Sequence, residues 1–268
     1  MIEDTNFFYH DRFSDTMHIV SKLIIDEFGK GRTKEIESIK VLDFPAGAGR
    51  LSEDLRNRGF SVTSADINEA MQDYIIADMN KTLPFGNEEF DAVICMEGIE
   101  HIFETNRFIK ELSRITKRGG LLILTLPNIS CYYSRLMFIC TGNFFQFWPT
   151  KGRHNIDNRS MLDYGHINPL GWQQIVFLFE HHGVSIENLY GNKIKRKVFL
   201  PAYIPFIVLG FFWLKRKYAK ELKAKNFTKE QEKYYKKIEK LSFKRKALLS
   251  RNIIIKLRKK DSKPHDVE

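Results

Sequence analysis

Three acidic residues and two glycines set the first chemical question. Asp43-Phe44-Pro45-Ala46-Gly47-Ala48-Gly49 follows a short apolar run, Ile39 to Phe44, and precedes a helix-like stretch from Leu51 to Arg58 that stops at Gly59. Glycines at such a turn let the backbone approach a ligand closely, and the helix start offers unpaired N–H groups. A tight turn with no ligand uses the same residues. Asp66 narrows the choice. It lies 23 residues after Asp43, at the end of the β-prone Ser61 to Ala65, where a carboxylate can accept from both hydroxyls of a ribose. Asp78 ends a third short run, Tyr74 to Ala77, and either meets a ligand or forms a turn or helix cap. Met96-Glu97-Gly98-Ile99-Glu100-His101-Ile102 follows a fourth run, Phe90 to Cys95. A histidine titrates near neutrality, so His101 suits proton transfer, although it could equally buttress the next helix. His154, Tyr164 and His166 are weaker candidates, each readable as a surface or packing residue.

The elements that must position these residues alternate in type. A helix is expected over Asn68 to Gln72. Another spans Thr105 to Lys117, closed by Gly119-Gly120, and Leu121 to Leu126 forms a fifth strand ended by Pro127. Leu170 to His182 reads as a helix, and Val184 to Leu189 and Asn252 to Leu257 as strands. Such alternation implies right-handed crossovers and a mainly parallel sheet covered on both faces, with its ligand beyond the carboxyl ends of the strands. Asp43, Asp66, Asp78 and Glu97 all fall at or just past those ends.

The ordered segments VLDFPAGAGRLSEDLRNRG, VTSADIN, IIADMNKTLPF, FDAVICMEGIEHI and GGLLILTLPN resemble the successive motifs of class I S-adenosylmethionine-dependent methyltransferases. The likeness is to the branch with ubiquinone-biosynthesis and glycan-modifying enzymes, and it covers about residues 38 to 192. It implies a Rossmann-like, doubly wound α/β fold with a mainly parallel seven-stranded sheet, its last strand antiparallel. The cofactor implied is S-adenosyl-L-methionine. Asp43 would orient the methionine amino group, with Ala46, Gly47 and Gly49 lining that moiety. Asp66 would hold the ribose and Ile67 the adenine. Asp78 would accept from the adenine amine, Met79 would flank the ring, and Glu97 joins the cofactor-binding set. Pro45 stands where the family usually has glycine, so the turn must form there without a positive φ. A nicotinamide dehydrogenase shares much of this logic, but no third glycine follows Gly47 and Gly49 at its spacing.

Methyl transfer from a sulfonium is an in-line displacement, and a hydroxyl acceptor must also lose its proton, for which His101 is the first candidate and His166 and His154 the next. The segment Asn128 to Asn168, with Tyr132, Tyr133, Phe144, Phe145, Phe147 and Trp148, reads as a structureless lid or substrate wall. Phe7, Phe8, Tyr9 and Phe13 either cover the cofactor or pack on the sheet.

Charge is divided unevenly along the chain. Of 268 residues, the last 76 carry 24 Lys/Arg and 7 Asp/Glu, a net +17, whereas residues 1 to 192 are at −7. Inside the basic region, residues 198 to 214 hold no charge and two prolines, Pro201 and Pro205. This run is too short and too flanked by cations for a bilayer span, and suits an in-plane or re-entrant segment attracted to anionic headgroups. A buried hairpin or a dimer interface would use the same residues. The organisation expected is N-terminal lid or cap helices over 1–36, a cofactor-binding core over 37–192 with a substrate-side insertion at 128–168, a membrane-associating helical insertion over 193–250, the last strand over 251–260 and a tail over 261–268.

The acceptor expected is amphiphilic or lipid-linked: a glycan, a polyprenyl-linked sugar or a quinone precursor, O-methylated at a membrane surface. An RNA methyltransferase gripping phosphates with the tail is the alternative, disfavoured because phosphate binding needs no long uncharged run. A non-catalytic cofactor-binding module is another, disfavoured by the Glu-His element. Cys95, Cys131 and Cys140 are odd in number and lack metal or redox spacing, no signal peptide is visible, and no metal is called for. These features suggest a reducing, cytoplasmic setting, peripheral or monotopic on the inner face of the membrane.

Overall fold

The computed structural model describes residues 14–29, 36–68, 73–156, 159–192, 200–224 and 227–261. Phe7, Phe8, Tyr9 and Phe13, most of the helix expected at 68–72, and the basic residues 193–197 lie outside them.

Among the described residues, nine strands and eight α-helices follow in the order α1 (Asp15–Phe28), β1 (Lys40–Asp43), α2 (Arg50–Asn57), β2 (Ser61–Asp66), β3 (Ile75–Ile76), β4 (Phe90–Met96), α3 (Thr105–Ile115), β5 (Thr116–Pro127), α4 (Tyr132–Thr141), β6 (Pro149–Ile156), β7 (Arg159–Gly165), α5 (Trp172–His181), β8 (Val184–Gly191), α6 (Leu200–Ala224), α7 (Lys229–Ser242), α8 (Arg245–Leu249) and β9 (Asn252–Lys259). Seven of the strands form one sheet in the order β3-β2-β1-β4-β5-β9-β8. Strands β3, β2, β1, β4 and β5 pair in parallel, and β9 runs antiparallel between β5 and β8. This is the doubly wound, Rossmann-like arrangement, its last strand inserted between the two before it.

Alternation along the strands explains why both faces are covered. Leu42, Val93, Leu122 and Leu124 point to a layer made by α3, α5, α7 and α8, where Phe108, Phe179, Ile238 and Ala247 are buried. Val41, Ala92, Ile94, Leu121 and Ile123 point the other way, to Val20 and Ile24 of α1 and Leu51 and Leu55 of α2. Strands buried on both faces must be apolar throughout, as β4 and β5 are. Helix α1, capped by the Ser14 hydroxyl accepting from Met17 N–H, belongs to this core.

Four expectations need correction. Residues 128–168 are not structureless: they form α4 and a two-stranded hairpin, β6–β7. Helix α3 ends at Ile115, where Thr116 turns extended and starts β5, so Gly119-Gly120 lies inside a strand. The 200–224 run is one 25-residue helix and not a chain bent at its prolines; Pro201 falls in the first turn, where N–H groups need no partner. The 193–250 insertion is also not a separate appendage, because Ile238 and Leu241 of α7 and Ala247 of α8 bury themselves in the main core. Among the described residues no helix is long and apolar enough to cross a membrane.

Candidate active site

The turn after β1 is built by backbone bonds from both neighbouring strands. Phe44 N–H donates to the Ile94 carbonyl at 2.9 Å, Ala46 N–H to the Ala65 carbonyl at 2.9 Å, and Gly49 N–H to the Ala46 carbonyl at 2.9 Å. The Phe44–Pro45 peptide is cis, and the left-handed positions fall on Gly47 (φ 54°) and Gly49 (φ 73°) and not on Pro45. A methyl group added at Gly47 would meet nothing within 4 Å, so the space above that residue is open, whereas at Gly49 it would lie 2.4 Å from the Tyr74 hydroxyl.

Asp66 is 7% exposed at the end of β2. One carboxylate oxygen accepts from Gly47 N–H at 3.0 Å and the other from Asn68 N–H at 3.0 Å. The backbone of Ile67 and the Asn68 side chain also approach this carboxylate, so the end of β2 concentrates donors around one anionic group. Asp43, 2% exposed, accepts from the Ser52 hydroxyl at 2.7 Å. Burial raises its pKa to about 7, against the Ser52 hydrogen bond and Arg56, while Asp66 adds to the rise. A cation placed beside Asp43 would therefore favour loss of its proton. Ile67 is half-buried beside Asp66. Asp78 makes a turn of its own, accepting from Asn80 N–H at 2.9 Å with Lys81 at 3.4 Å, and Met79 packs on the core.

A second cluster gathers beyond β4. Glu97 adopts φ 47°. Its carboxylate accepts from the Thr125 hydroxyl of β5 at 2.8 Å and from the Asn252 side-chain amide of β9 at 2.7 Å, so both oxygens tie strands together. Burial pushes its pKa up despite these bonds. Glu100 is fully buried and neither carboxylate oxygen has a hydrogen-bond partner. Burial first, then repulsion by Glu97 and Asp163, pushes its pKa far up. His166, whose Nε2 is 4.0 Å from Glu100, has a pKa lowered to about 4, chiefly by burial and then by His101.

His101 sits in a short 3-10 turn, Ile99–His101, its ring 4.7 Å from that of His166. Its Nδ1 lies 3.1 Å from Asp163 Oδ1. An ionised carboxylate only accepts, so this contact places hydrogen on Nδ1 and leaves Nε2 with a free lone pair. Asp163 comes from β7, on the inserted hairpin. The residue before it, Leu162, exchanges bonds with Asn68, receiving at its carbonyl (3.5 Å) and donating from its N–H to Asn68 Oδ1 (3.0 Å). The hairpin thus joins the loop after Asp66 to His101. His154 lies on the other strand, in register with Met161. Glu100, His101 and His166 also bring one ligand atom each within 4.8 Å of one another, a nitrogen and oxygen donor set that suits a divalent cation as well as a proton.

The aromatic residues of the insertion form a wall here. Phe147 stands 5.6 Å from His166, Tyr133 pairs with Phe145, and Phe138 stacks on Phe144. Tyr164, also of β7, meets the exposed Phe103 at 5.0 Å. Asp163, Thr125 and Asn252 escaped the sequence reading. Asp163 stands 62 residues from His101, and nothing local distinguishes it from a turn aspartate.

Comparison with known proteins matches this geometry. A methyltransferase domain model matches residues 42–124, from the middle of β1 through most of β5. The chain carries the fold of the class I S-adenosylmethionine-dependent methyltransferases, and its residues 42–124 are similar to their methyltransferase domain. It is 32% identical over 114 residues to a ubiquinone biosynthesis O-methyltransferase of Caulobacter sp. (strain K31), covering 37% of this chain and 45% of that protein. The chain spans about half the length of the curated relatives it matches. A solved methyltransferase from Archaeoglobus fulgidus shares the fold across 96% of this chain and all of its own, at a TM-score of 0.52 and 15% identity. The [4+2]-cyclase SpnF shares it too, across 91% of this chain and 81% of its own, at a TM-score of 0.50 and 15% identity, so the fold alone does not name a reaction.

Proposed function

We propose that this protein transfers a methyl group from S-adenosylmethionine to a hydroxyl of an amphiphilic, lipid-linked acceptor, with His101 as the base. The observation that carries the reading is the His101–Asp163 pair, tied through Leu162 and Asn68 to the loop that follows Asp66. The cofactor supplies an electrophilic methyl group when bound. The open space over Gly47 and the carboxylate of Asp66 at the end of β2 suit its amino-acid and ribose portions. Asp43, Ala46, Gly47 and Gly49 would hold the former, Asp66 and Ile67 the latter, with Asp78 and Met79 toward the adenine.

His101 Nε2 would take the proton from the acceptor hydroxyl as oxygen attacks, leaving an imidazolium whose Nδ1–H still donates to Asp163. Asp163 holds the ring and stabilises that charge. The aromatic wall of α4 and its following loop excludes water and offers rings to an apolar acceptor.

Helix α6 supports the choice of acceptor class. It docks through Tyr203 on Tyr132, Phe211 on Phe243 and Tyr218 on Tyr235. Its outer face leaves Ile204, Phe206, Val208, Leu209, Phe212 and Trp213 exposed. Phe138 and Ile139 of α4 are exposed as well. Contiguous exposed apolar surface beside lysines suits an anionic membrane surface.

Incubating the full chain with methyl-labelled S-adenosylmethionine and a cellular lipid extract tests the proposal. Label is expected in the organic phase as an ether stable to mild alkali. Label confined to added RNA, or to none of the fractions while the cofactor binds, would refute the acceptor class.

A further inference from the structure

A cavity of about 180 Å³ opens between the ends of β8 and β9, lined by Asn192, Arg245, Lys246, Leu249 and Ser250. A single water needs only about 10–15 Å³, so this space admits a group of several atoms. Its place in the fold is informative. Gly191 pairs with Ile253 and Asn252 with Pro127, the last residue of β5, so the cavity lies at the carboxyl edge of the sheet, the edge that carries Asp66, Glu97 and His101. Two hydrogen bonds connect it to the acid cluster: Asn252 N–H donates to Asn192 Oδ1 at 3.0 Å, and the Asn252 amide donates to Glu97 at 2.7 Å.

The lining is basic and uncommitted. Lys237, Lys256, Arg258 and Lys259 each meet a glutamate. Among the described residues no carboxylate pairs with Arg245 or Lys246, which stand exposed on adjacent positions of α8. Gly191 closes the floor tightly, since any side chain there would run into the Ser250 hydroxyl. Arg251, next in the chain, hydrogen-bonds Gln146 and lies 5.8 Å from the Phe145 ring, so it links this basic edge to the aromatic wall.

We infer that this cavity binds the phosphate or diphosphate group of the acceptor, gripped by Arg245 and Lys246 with Ser250 at its floor. The inference deepens the lipid-linked reading of the same site and rests on it. Arginine forks and lysine point charges are the side chains that recognise such oxyanions, and the cavity opens at the sheet edge that also carries His101. A membrane headgroup offers the same oxyanion chemistry, and the two sources respond differently to mutation.

Inorganic pyrophosphate titrated into the full chain at low salt is expected to bind saturably, and the Arg245→Gln/Lys246→Gln double variant to bind it at least tenfold more weakly. The same variant should keep its S-adenosylhomocysteine affinity within twofold and its melting temperature, both of which report an intact fold. It should also co-sediment with phosphatidylglycerol vesicles as wild type does. Equal pyrophosphate binding by both proteins, or none by wild type, overturns the inference. Lost vesicle binding with unchanged pyrophosphate binding also overturns it, assigning the cations to a lipid headgroup. A wild-type chain that binds pyrophosphate but not S-adenosylhomocysteine would instead defeat the methyltransferase reading and leave this cavity standing.

Discussion

Replacing Asp66 by alanine is expected to weaken S-adenosylhomocysteine binding about 10²- to 10⁴-fold, because two charge-assisted hydrogen bonds, each contributing roughly 1.5–3 kcal/mol, are lost with the carboxylate. The side chain serves twice. Its oxygens hold Gly47 N–H and Asn68 N–H, fixing the turn, and in the proposed complex they would also accept from the ribose hydroxyls. Asp66→Asn keeps the size but offers one acceptor oxygen to two backbone N–H groups, so its melting temperature is read beside its affinity: lost affinity with unchanged melting marks ribose binding, and parallel loss of both marks turn ordering. Calorimetry reads both. An Asp66→Ala protein that melts like wild type and binds within threefold of it would remove Asp66 from the cofactor site.

His101→Ala is expected to lower turnover about 10²- to 10⁴-fold, the range general-base catalysis supplies, with cofactor affinity changed by no more than a few fold. Asp163→Asn should lie between this variant and wild type, because it keeps the packing and removes the charge that orients the ring and stabilises the imidazolium. The two changes act on one unit, so the double variant should be no slower than His101→Ala alone. Single-turnover rates with saturating cofactor measure this directly. Turnover surviving within a few fold in His101→Ala would demote the residue to a buttress of the turn before α3, and His166 would be examined next. His166 starts at a disadvantage, since burial has already lowered its pKa to about 4 and made it a weak base.

Much of this architecture was legible because β1, β2 and β5 carry β-branched or leucine-rich runs that end at Asp43, Asp66 and Pro127. The positions of Asp43, Asp66 and Glu97 followed from the rule that parallel strands deliver ligand-binding residues at their carboxyl ends. The β9 strand was legible for a similar reason: Ile253, Ile254, Ile255 and Leu257 are apolar toward both layers.

What escaped was long-range or ambiguous. The β6–β7 hairpin mixes Lys151, Arg153, Asn155 and Asp163 with few apolar residues, because it packs on a loop and a turn instead of a core, so no alternation announced it. The Asp163–His101 contact depends on that hairpin and could not precede it. The α7 and α8 segments read as a basic tail because their lysines outnumber the few residues, Ile238, Leu241 and Ala247, that face inward. The run with Pro201 and Pro205 read as an in-plane or re-entrant segment, and the structure makes it one helix that continues through Pro205.

We propose that the turn after β1 and the acid at the end of β2 form a site for S-adenosylmethionine. Calorimetric titration of this chain with S-adenosylhomocysteine, and separately with NAD, tests it. Saturable one-to-one binding of S-adenosylhomocysteine and no heat of binding from NAD are expected. Saturable binding of NAD with no response to S-adenosylhomocysteine would contradict it.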